Sequence, residues 1–237
     1  MGKNCCTGSF IIFIFIFSKA LPEKKSLYQF LQVILEIYMQ VTLQDKWALP
    51  IKKLIIATNH NNLLEKCLNT GLYEPGKVNP SISPSMDIQV ASNFERIIFD
   101  VCNQNTTRVL ELMNDLKVKQ KFQLSNDELE KLKTIFLAFS VDEKETLETI
   151  KYIFDMHQII VDPHSAIGFK ALQKYNNFRS EFSYFCFETA HSCKFPEAII
   201  KAINQNPQIP DFIGNIQNKE ERFVVLENNL DRIKKIY

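Results

Sequence analysis

Three polar clusters in this sequence contain the hydroxyls, carboxylates and histidines with which a protein could bind a polar ligand. The first comprises residues 83–88 (S-P-S-M-D-I) and 92–96 (S-N-F-E-R), the second residues 162–168 (D-P-H-S-A-I-G), and the third residues 189–191 (T-A-H). Taken singly, each is typical of ordinary structure, because Asp-x-His turns and Ser-Asn pairs commonly cap helices and a histidine after a strand is usually just hydrogen-bonded. Their meaning depends on the elements that position them.

Apolar spacing predicts those elements. Residues 53–58 and 182–187 are apolar runs that end in polar residues, as expected of buried strands that lead into loops. Residues 73–85 hold three prolines and a glycine and are predicted to form an extended loop. Alternating strands and helices favour an α/β fold, in which polar turns collect at the carboxyl ends of the strands. Helices are predicted at residues 63–68, 93–101, 107–118, 141–157, 165–175, 197–203 and 220–237, and a short strand at residues 159–161.

One further helix is predicted to begin after Ser125. Glu128 follows Ser125 by three residues, which is the spacing of a capping box. The apolar face of this helix is expected to comprise Leu129, Leu132, Ile135 and Phe136. Pro196 is expected near the first turn of the helix at residues 197–203, where its missing N–H costs nothing.

In this order, the clusters resemble segments of threonine synthases. That family shows A-T-N-x-N-D, S-P-S/A-M-D-I, S-N-F-E-R, D-P-H-T-A-x-G and S-T-A-H-P-A-K-F-P-E segments, which correspond here to residues 57–62, 83–88, 92–96, 162–168 and 188–197. Residues 221–226 also resemble the family's closing segment, and five ordered matches are more specific than any one motif. The resemblance covers residues 49–237. It implies the C-terminal portion of a pyridoxal-phosphate-dependent (tryptophan synthase beta-like) α/β fold, with a non-homologous N-terminal extension at residues 1–48.

The resemblance also implies the site residues. The family converts O-phosphohomoserine and water to threonine and phosphate, and Thr189 is placed beside the pyridine nitrogen of the cofactor. Arg96 and Lys194 are the cationic candidates for the substrate phosphate. No metal site is expected, because no cysteines and histidines have zinc-ligand spacing. The residues carried over as substrate-binding are Ser85, Asp87, Asn93, Arg96, Asp162, His164, His191 and Lys194.

The sequence departs from the family pattern at several positions. Asn62 stands in place of an Asp, Ser165 in place of a Thr, and residues 192–193 (S-C) in place of Pro-Ala. Glu188 replaces a Ser beside Thr189. A carboxylate there would favour a protonated ring nitrogen, so the electronic state of the cofactor would differ from that in the family.

The groups that carry out the family's chemistry are missing from this sequence. The Schiff-base lysine normally lies in an S-F-K-D segment far upstream, and the phosphate loop, T-G-N-F-G-D/N, should lie just before residue 49. Neither segment is present. The stretch most similar to S-F-K-D, residues 168–170 (G-F-K), belongs to the Asp-Pro-His turn. The catalytic lysine is therefore absent, and we expect that this chain neither binds pyridoxal phosphate nor catalyses the reaction alone.

Residues 1–48 are compatible with an out-of-frame origin. Read from the third base of each codon, permitted codons of residues 28–48 spell a segment containing T-G-N-F-G-D, in which Met39-Gln40 forces an Ala and Trp47-Ala48 forces a Gly. Read from the second base, the first residues permit W-A-R-I, with the Trp forced. We therefore hypothesise that this segment is a frameshifted reading of an eroded gene, which would make the signal-like apolar run at residues 10–17 accidental.

Composition limits the other classes of partner. Lys and Arg total 28 against 27 Asp and Glu, so no charge bias favours nucleic acid or an acidic membrane. No cysteines form a C-x-x-C pair, and reduced thiols in the cytoplasm are expected. The apolar run at residues 10–17 is far shorter than the ~20 residues that span a bilayer.

Three functional readings follow. The leading one is a relic of threonine synthase without turnover. The second is the C-terminal half of a split enzyme, in which a separately encoded N-terminal half supplies the lysine and the phosphate loop. The third, ranked last, is a membrane-tethered interaction protein that uses residues 1–20.

Overall fold

The main sheet of the protein is built from strands that are distant in sequence. The computed structural model describes residues 12–18, 51–176, 178, 182–186, 188, 190–211, 213, 219–226, 228–230 and 234. The chain comprises two compact units, Met1–Pro207 and Gln208–Tyr237, and the elements named below lie in the first. The strands are β1 (Ile12–Ser18), β2 (Ile51–Thr58), β3 (Leu72–Tyr73), β4 (Phe122–Gln123), β5 (Phe136–Ser140) and β6 (Phe182–Cys186).

Four of these strands form one mixed sheet in the order β5–β2–β1–β6. β2 and β5 are parallel, with Leu54 opposite Phe136 and Thr58 opposite Ser140. β1 is antiparallel to both of its neighbours, β2 and β6. β3 and β4 form a separate two-stranded antiparallel sheet.

Helices connect and cover the strands. They are α1 (Leu63–Thr70), α2 (Phe94–Val101), α3 (Thr106–Lys119), α4 (Asn126–Ile135), α5 (Glu143–His157), α6 (Pro163–Lys174) and α7 (Pro196–Ile203), with single 3-10 turns at Pro84–Met86 and Ser192–Lys194. The predicted capping box of α4 is confirmed, because the side chains of Ser125 and Glu128 each accept from the other residue's backbone N–H. Pro196 is confirmed in the first turn of α7.

β2 is buried on both of its faces, which explains why its sequence is continuously apolar. Leu54 and Ile56 belong to a cluster that also contains buried residues of α1, α2 and α4. Ile55 and Ala57, which point to the opposite face, pack in a second cluster with Ile167 of α6. The polar residues that follow β2 are therefore attached to a strand that is packed on both of its faces.

Three predicted elements differ from the structure. Phe136, which was expected on the face of α4, begins β5, because parallel pairing with β2 replaces the helical conformation there. The predicted strand at residues 159–161 has no regular secondary structure. The predicted helix at residues 220–237 is wrong over residues 220–226, which are irregular, with residues 223–226 exposed.

The N-terminal prediction concerned residues 1–48. Of these, the structure describes residues 12–18 as β1, and the rest of the segment lies outside the described residues. Its out-of-frame origin stays a hypothesis about the coding DNA. In the part of the chain that the structure describes, no helix has both the length and the apolarity needed to cross a membrane.

Candidate functional site

Asn59, the residue after β2, organises the first polar cluster. Its side-chain nitrogen lies 2.7 Å from Asp87 Oδ1, 2.9 Å from Ser81 Oγ and 3.0 Å from Ser83 Oγ. An amide nitrogen carries two hydrogens, so at most two of these contacts are donated at once. Because Asn59 is buried, this network fixes the proline-rich loop against the carboxyl end of β2.

Asp87 is the acceptor shared by this network. Its Oδ1 accepts from Asn61 Nδ2 at 3.0 Å and from Ser81 Oγ at 2.7 Å, and its Oδ2 accepts from the backbone N–H of Ser81 at 2.8 Å. Hydrogen bonds to a carboxylate are stronger than those between neutral groups. All of these donors belong to the protein, so the observed role of Asp87 is to hold the loop, and its substrate-binding role stays a prediction.

Asp162 and His164 form a second, fully buried cluster at the start of α6, with exposed fractions of 0% and 2%. Asp162 caps the helix by accepting from the backbone N–H groups of His164 and Ser165, and its Oδ1 lies 2.7 Å from His164 Nδ1. The remaining ring nitrogen of His164, Nε2, lies 3.2 Å from the backbone nitrogen of Ser85.

This geometry determines the tautomer of His164. The backbone N–H of Ser85 can only donate, so Nε2 accepts and the proton resides on Nδ1, which donates to Asp162. Both ring nitrogens are thus used within the protein. The short turn Pro84–Met86 is held on one side by Asn59 through Ser83 and Asp87, and on the other by His164 through Ser85.

β6 packs against the N-terminal end of α6. Cys186 Sγ donates a weak hydrogen bond to the carbonyl of Ser165 at 3.9 Å. Burial, and secondarily the charge of Asp162, raise the pKa of the Cys186 thiol to about 12. The thiol is therefore protonated at neutral pH and acts as a packing group.

The segment that includes the third predicted cluster, residues 188–197, contacts the second cluster through an aromatic pair. The rings of His164 and Phe195 lie 4.8 Å apart at an angle of 60°. Phe195 ends the turn that contains Lys194, whose side chain is exposed. His191 is also exposed, and its Nδ1 accepts from the backbone N–H of Cys193 at 3.2 Å. Both exposed side chains are thus free to reach solvent from a turn that is anchored on the buried cluster.

The remaining predicted site residues are less constrained. Asn93 and Arg96 lie at the start of α2 and are exposed, and Asn93 makes no side-chain cap. Among the described contacts, none joins either side chain to the cluster of Ser85 and His164. Thr189, the predicted cofactor contact, lies outside the described residues, whereas Glu188 beside it is exposed.

The sequence signalled part of the first cluster without assigning it a role. Asn59 and Asn61 belong to the A-T-N-x-N segment, but their function in holding the loop was not predicted. Ser81 was missed altogether. The available signal was the position of the two asparagines directly after a buried strand, where polar side chains can reach a neighbouring loop.

The described residues do not by themselves fit pyridoxal phosphate. No described lysine donates a hydrogen bond to the cluster of Asn59 and Asp87 or to that of Ser85 and His164. Lys53, whose burial lowers its pKa, donates instead to the carbonyls of Lys133 and Thr134 at the other end of β2. The described glycines, Gly71, Gly76 and Gly168, are isolated in the sequence and form no phosphate-cradling loop.

Comparison with known proteins agrees with the segments that carry the resemblance. The family model described as "Threonine synthase, C-terminal" matches residues 165–236. The threonine synthase of Pseudomonas aeruginosa is 36% identical over 187 residues, which are 78% of this chain and 40% of that protein. The chain therefore spans about 40% of the length of this curated relative.

Solved structures give the same family. A pyridoxal-phosphate-bound threonine synthase from Brucella melitensis is 36% identical with a TM-score of 0.71, over 79% of this chain and 40% of that one. Yeast threonine synthase is 28% identical with a TM-score of 0.73, over 84% of this chain and 44% of that one. The α/β fold expected from the sequence is confirmed by these neighbours. This chain belongs to the threonine synthase family and corresponds to the C-terminal part of its members.

Proposed function

We propose that this chain retains a substrate-side framework of threonine synthase but does not by itself convert O-phosphohomoserine and water to threonine and phosphate. The observation that carries the proposal is the contrast between two parts of the site. The loop that contains Ser85 and Asp87 is held on both sides by partly buried hydrogen bonds from Asn59 and to His164. None of the described lysines donates a hydrogen bond to Ser85 or Asp87, and the described glycines form no glycine-rich loop.

The proposed roles of the chain's own residues follow from their exposure. Arg96 and Lys194 are exposed cations and would bind the substrate phosphate. Asp162 and His164 are buried and would position Ser85. Pyridoxal phosphate would supply the electron sink for the reaction when bound, and the lysine and phosphate loop that hold it would come from outside the described residues.

A split enzyme is the second candidate, and the intact framework favours it. In this chain Ser85 and Asp87 are already held in place, by His164 on one side and by Asn59 on the other, as a catalytic partner would require. In the split arrangement, the partner would be a separate N-terminal half of a threonine synthase. Neither nucleic acid nor a membrane is proposed as a partner.

Phosphate release from O-phosphohomoserine tests both candidates. The full chain would be assayed with pyridoxal phosphate, alone and mixed with the N-terminal half of the Pseudomonas aeruginosa enzyme, with the intact bacterial enzyme as the positive control. We expect no release by the chain alone. Turnover by the chain alone would contradict the proposal.

The mixture distinguishes the candidates from each other. Release that depends on both polypeptides would establish the split enzyme, and Arg96→Gln should then raise KM more than it lowers kcat, because it removes a phosphate contact. The same measurement on Arg222→Gln, a variant of an exposed arginine in the second unit, is the matched control. Absence of release from a mixture of folded halves would support the relic.

We also propose a cytoplasmic location. The four described cysteines, Cys67, Cys102, Cys186 and Cys193, are all free thiols, as is common in reducing compartments. Fractionation of cells that express the full chain tests this proposal, and recovery with the membrane pellet would contradict it.

A further inference from the structure

The side chain of Tyr73 is enclosed between two aromatic rings in the buried core. Its ring stacks on that of Phe122 at a centroid distance of 4.7 Å and on that of Phe94 at 5.5 Å, with interplanar angles of 3° and 13°. Each of the three residues is only 2% exposed. Phe122 lies opposite Tyr73 in the β3–β4 pair, whereas Phe94 begins α2. The stack therefore attaches the start of α2 to the small sheet.

The hydroxyl of Tyr73 makes a second contact, with the residues that precede α2. Its oxygen accepts a buried hydrogen bond from the backbone N–H of Ala91 at 3.0 Å. The carbonyl of Ala91 in turn accepts from the backbone N–H of Phe94 at 3.0 Å, which forms a turn between them. Tyr73 thus holds both ends of this turn, one with its hydroxyl and the other with its ring. Ser92 and Asn93, which lie between these ends, are exposed.

The same hydrogen bond closes the loop that contains the first polar cluster. Tyr73 and Ala91 are 18 residues apart, and the loop between them contains Ser85 and Asp87. Arg96, the proposed phosphate ligand, lies in the first turn of α2, directly after the residues that Tyr73 holds. One side chain therefore anchors the two segments that carry the proposed substrate-binding groups.

We propose that Tyr73 is a positioning residue, which sets the placement of Arg96 relative to the loop of Ser85 and Asp87. This inference rests on the substrate-binding roles proposed above for these residues. Because Tyr73 is buried, it acts through the turn and does not itself contact a ligand. Loss of its hydroxyl alone leaves the aromatic stack in place and releases the Ala91 end of the turn.

Backbone order parameters of the full chain, measured by NMR relaxation, test the anchoring of the turn. In Tyr73→Phe, the order parameters of Ala91, Ser92 and Asn93 should fall from the ~0.85 of rigid backbone toward ~0.6, whereas those of β2 should not change. Tyr175→Phe is the matched control, because Tyr175 packs on the opposite face of β2. Unchanged order parameters in Tyr73→Phe would overturn the proposal.

A titration with inorganic phosphate, followed at the backbone amide of Arg96, measures the consequence for binding. The Kd for phosphate should rise about threefold in Tyr73→Phe, because the binding-competent arrangement would occupy a smaller fraction of the molecules. Tyr175→Phe should keep the wild-type Kd, since a general loss of stability does not change the affinity of the folded chain. Equal affinities of wild type and Tyr73→Phe would overturn the positioning role.

Two further outcomes are separable from these. If phosphate does not shift the Arg96 amide of the wild type, the proposed role of Arg96 is contradicted, and the order parameters alone decide whether Tyr73 anchors the turn. If Tyr73→Phe does not fold, Phe94→Leu provides the answer, because it removes the ring at the other end of the turn and keeps the hydroxyl bond. It should loosen Ser92 and Asn93 to a similar extent, and rigid backbone there would overturn the proposal.

Discussion

The Nε2 atom of His164 accepts a hydrogen bond from the backbone N–H of Ser85 at 3.2 Å, across 79 residues of sequence. This contact joins the start of α6 to the proline-rich loop that follows β3, and both belong to segments that match threonine synthases. Because Asp162 holds the proton on Nδ1, the acceptor at Nε2 is fixed without any movement of the ring. The buried Asp–His pair therefore positions Ser85, and the substrate-binding role expected of Asp162 and His164 stays a prediction.

Replacing His164 should destabilise the chain. His164→Gln removes the ring that joins Asp162 to Ser85 and leaves buried polar atoms with poorer partners. We expect the free energy of unfolding to fall by about 2 kcal/mol, the cost of an unsatisfied buried group. Urea denaturation at neutral pH measures this change.

His60 is the matched control for His164. Its Nε2 also contacts a backbone atom, Asn79 O at 3.0 Å, but the contact is exposed. His60→Gln should change the free energy of unfolding by less than about 0.5 kcal/mol, as surface substitutions do. Equal effects of the two substitutions would contradict the positioning role of His164.

Replacing Thr58 by valine should stabilise the chain. The substitution keeps the shape of the side chain and removes a buried hydroxyl that has no partner. We expect a gain of about 1 kcal/mol in the free energy of unfolding, measured in urea.

Thr149→Val provides the comparison. Thr149 is also buried, but its hydroxyl donates to the carbonyl of Glu145 at 2.7 Å. Its loss should cost about 0.5–1.5 kcal/mol, the net value of a typical hydrogen bond. The prediction fails if both valine variants change stability in the same direction.

The ion pair between Arg108 and Glu128 should make stability depend on acid pH. Arg108 Nε and Nη2 lie 2.9 and 3.1 Å from the two carboxylate oxygens of Glu128. Hydrogen bonds from Arg108 lower the pKa of Glu128 from 4.5 to about 2. The folded state therefore gains stability above pH 4.5, and this gain is lost as the pH falls from 4.5 to about 2.

Glu128→Gln should remove this part of the pH dependence, as measured by urea midpoints between pH 6 and pH 2. Glu111 also pairs with Arg108, at 3.5 Å, but its side chain is exposed. Glu111→Gln should leave the fall of the urea midpoint at acid pH nearly unchanged, because exposed ion pairs contribute little to stability. If the urea midpoints of wild type and Glu128→Gln fall equally between pH 6 and pH 2, Glu128 is not the source of this pH dependence.

The buried cysteines should resist alkylation in the folded chain. Cys67 and Cys102 are buried, and burial raises the pKa of the Cys67 thiol to about 12 and that of the Cys102 thiol to about 11. At pH 8 both are therefore protonated and poor nucleophiles. Mass spectrometry after iodoacetamide treatment should find them unmodified in buffer and modified in urea.

Cys193 is the internal reference for this experiment, because it is partly exposed and lies in a surface turn. It should react in buffer faster than Cys67 and Cys102. Modification of all three at one rate in buffer would show that the chain is unfolded under those conditions.

Features that depend on neighbours in sequence were predictable. The capping box of Ser125 and Glu128 and the position of Pro196 follow from local spacing, and the structure confirms both. β5 was missed because Phe136 continues the apolar spacing of α4, and only its pairing with Leu54, far away in sequence, makes it a strand. Local pattern contains no information about that partner.

The site was predictable as a set of residues but not as a network. The resemblance to threonine synthases identified Ser85, Asp87, Asp162 and His164, which lie in separate segments of the sequence. It did not show that Asp87 holds a loop to Asn59 or that His164 accepts from Ser85, since both contacts depend on side-chain orientations in the folded chain. The roles of the exposed residues Arg96 and Lys194 remain predictions.

The position of β1 limits how another polypeptide can associate with this sheet. β2 is hydrogen-bonded on both of its edges, to β5 and to β1, and β1 alone joins it to β6 among the described strands. A foreign strand can pair with β2 only by strand exchange, which first breaks the ladder of β1 or β5. Assembly in which a strand of a second half pairs with β2 would consequently be slow and strongly temperature-dependent. Deletion of residues 12–18 would leave one edge of β2 open to pair with such a strand.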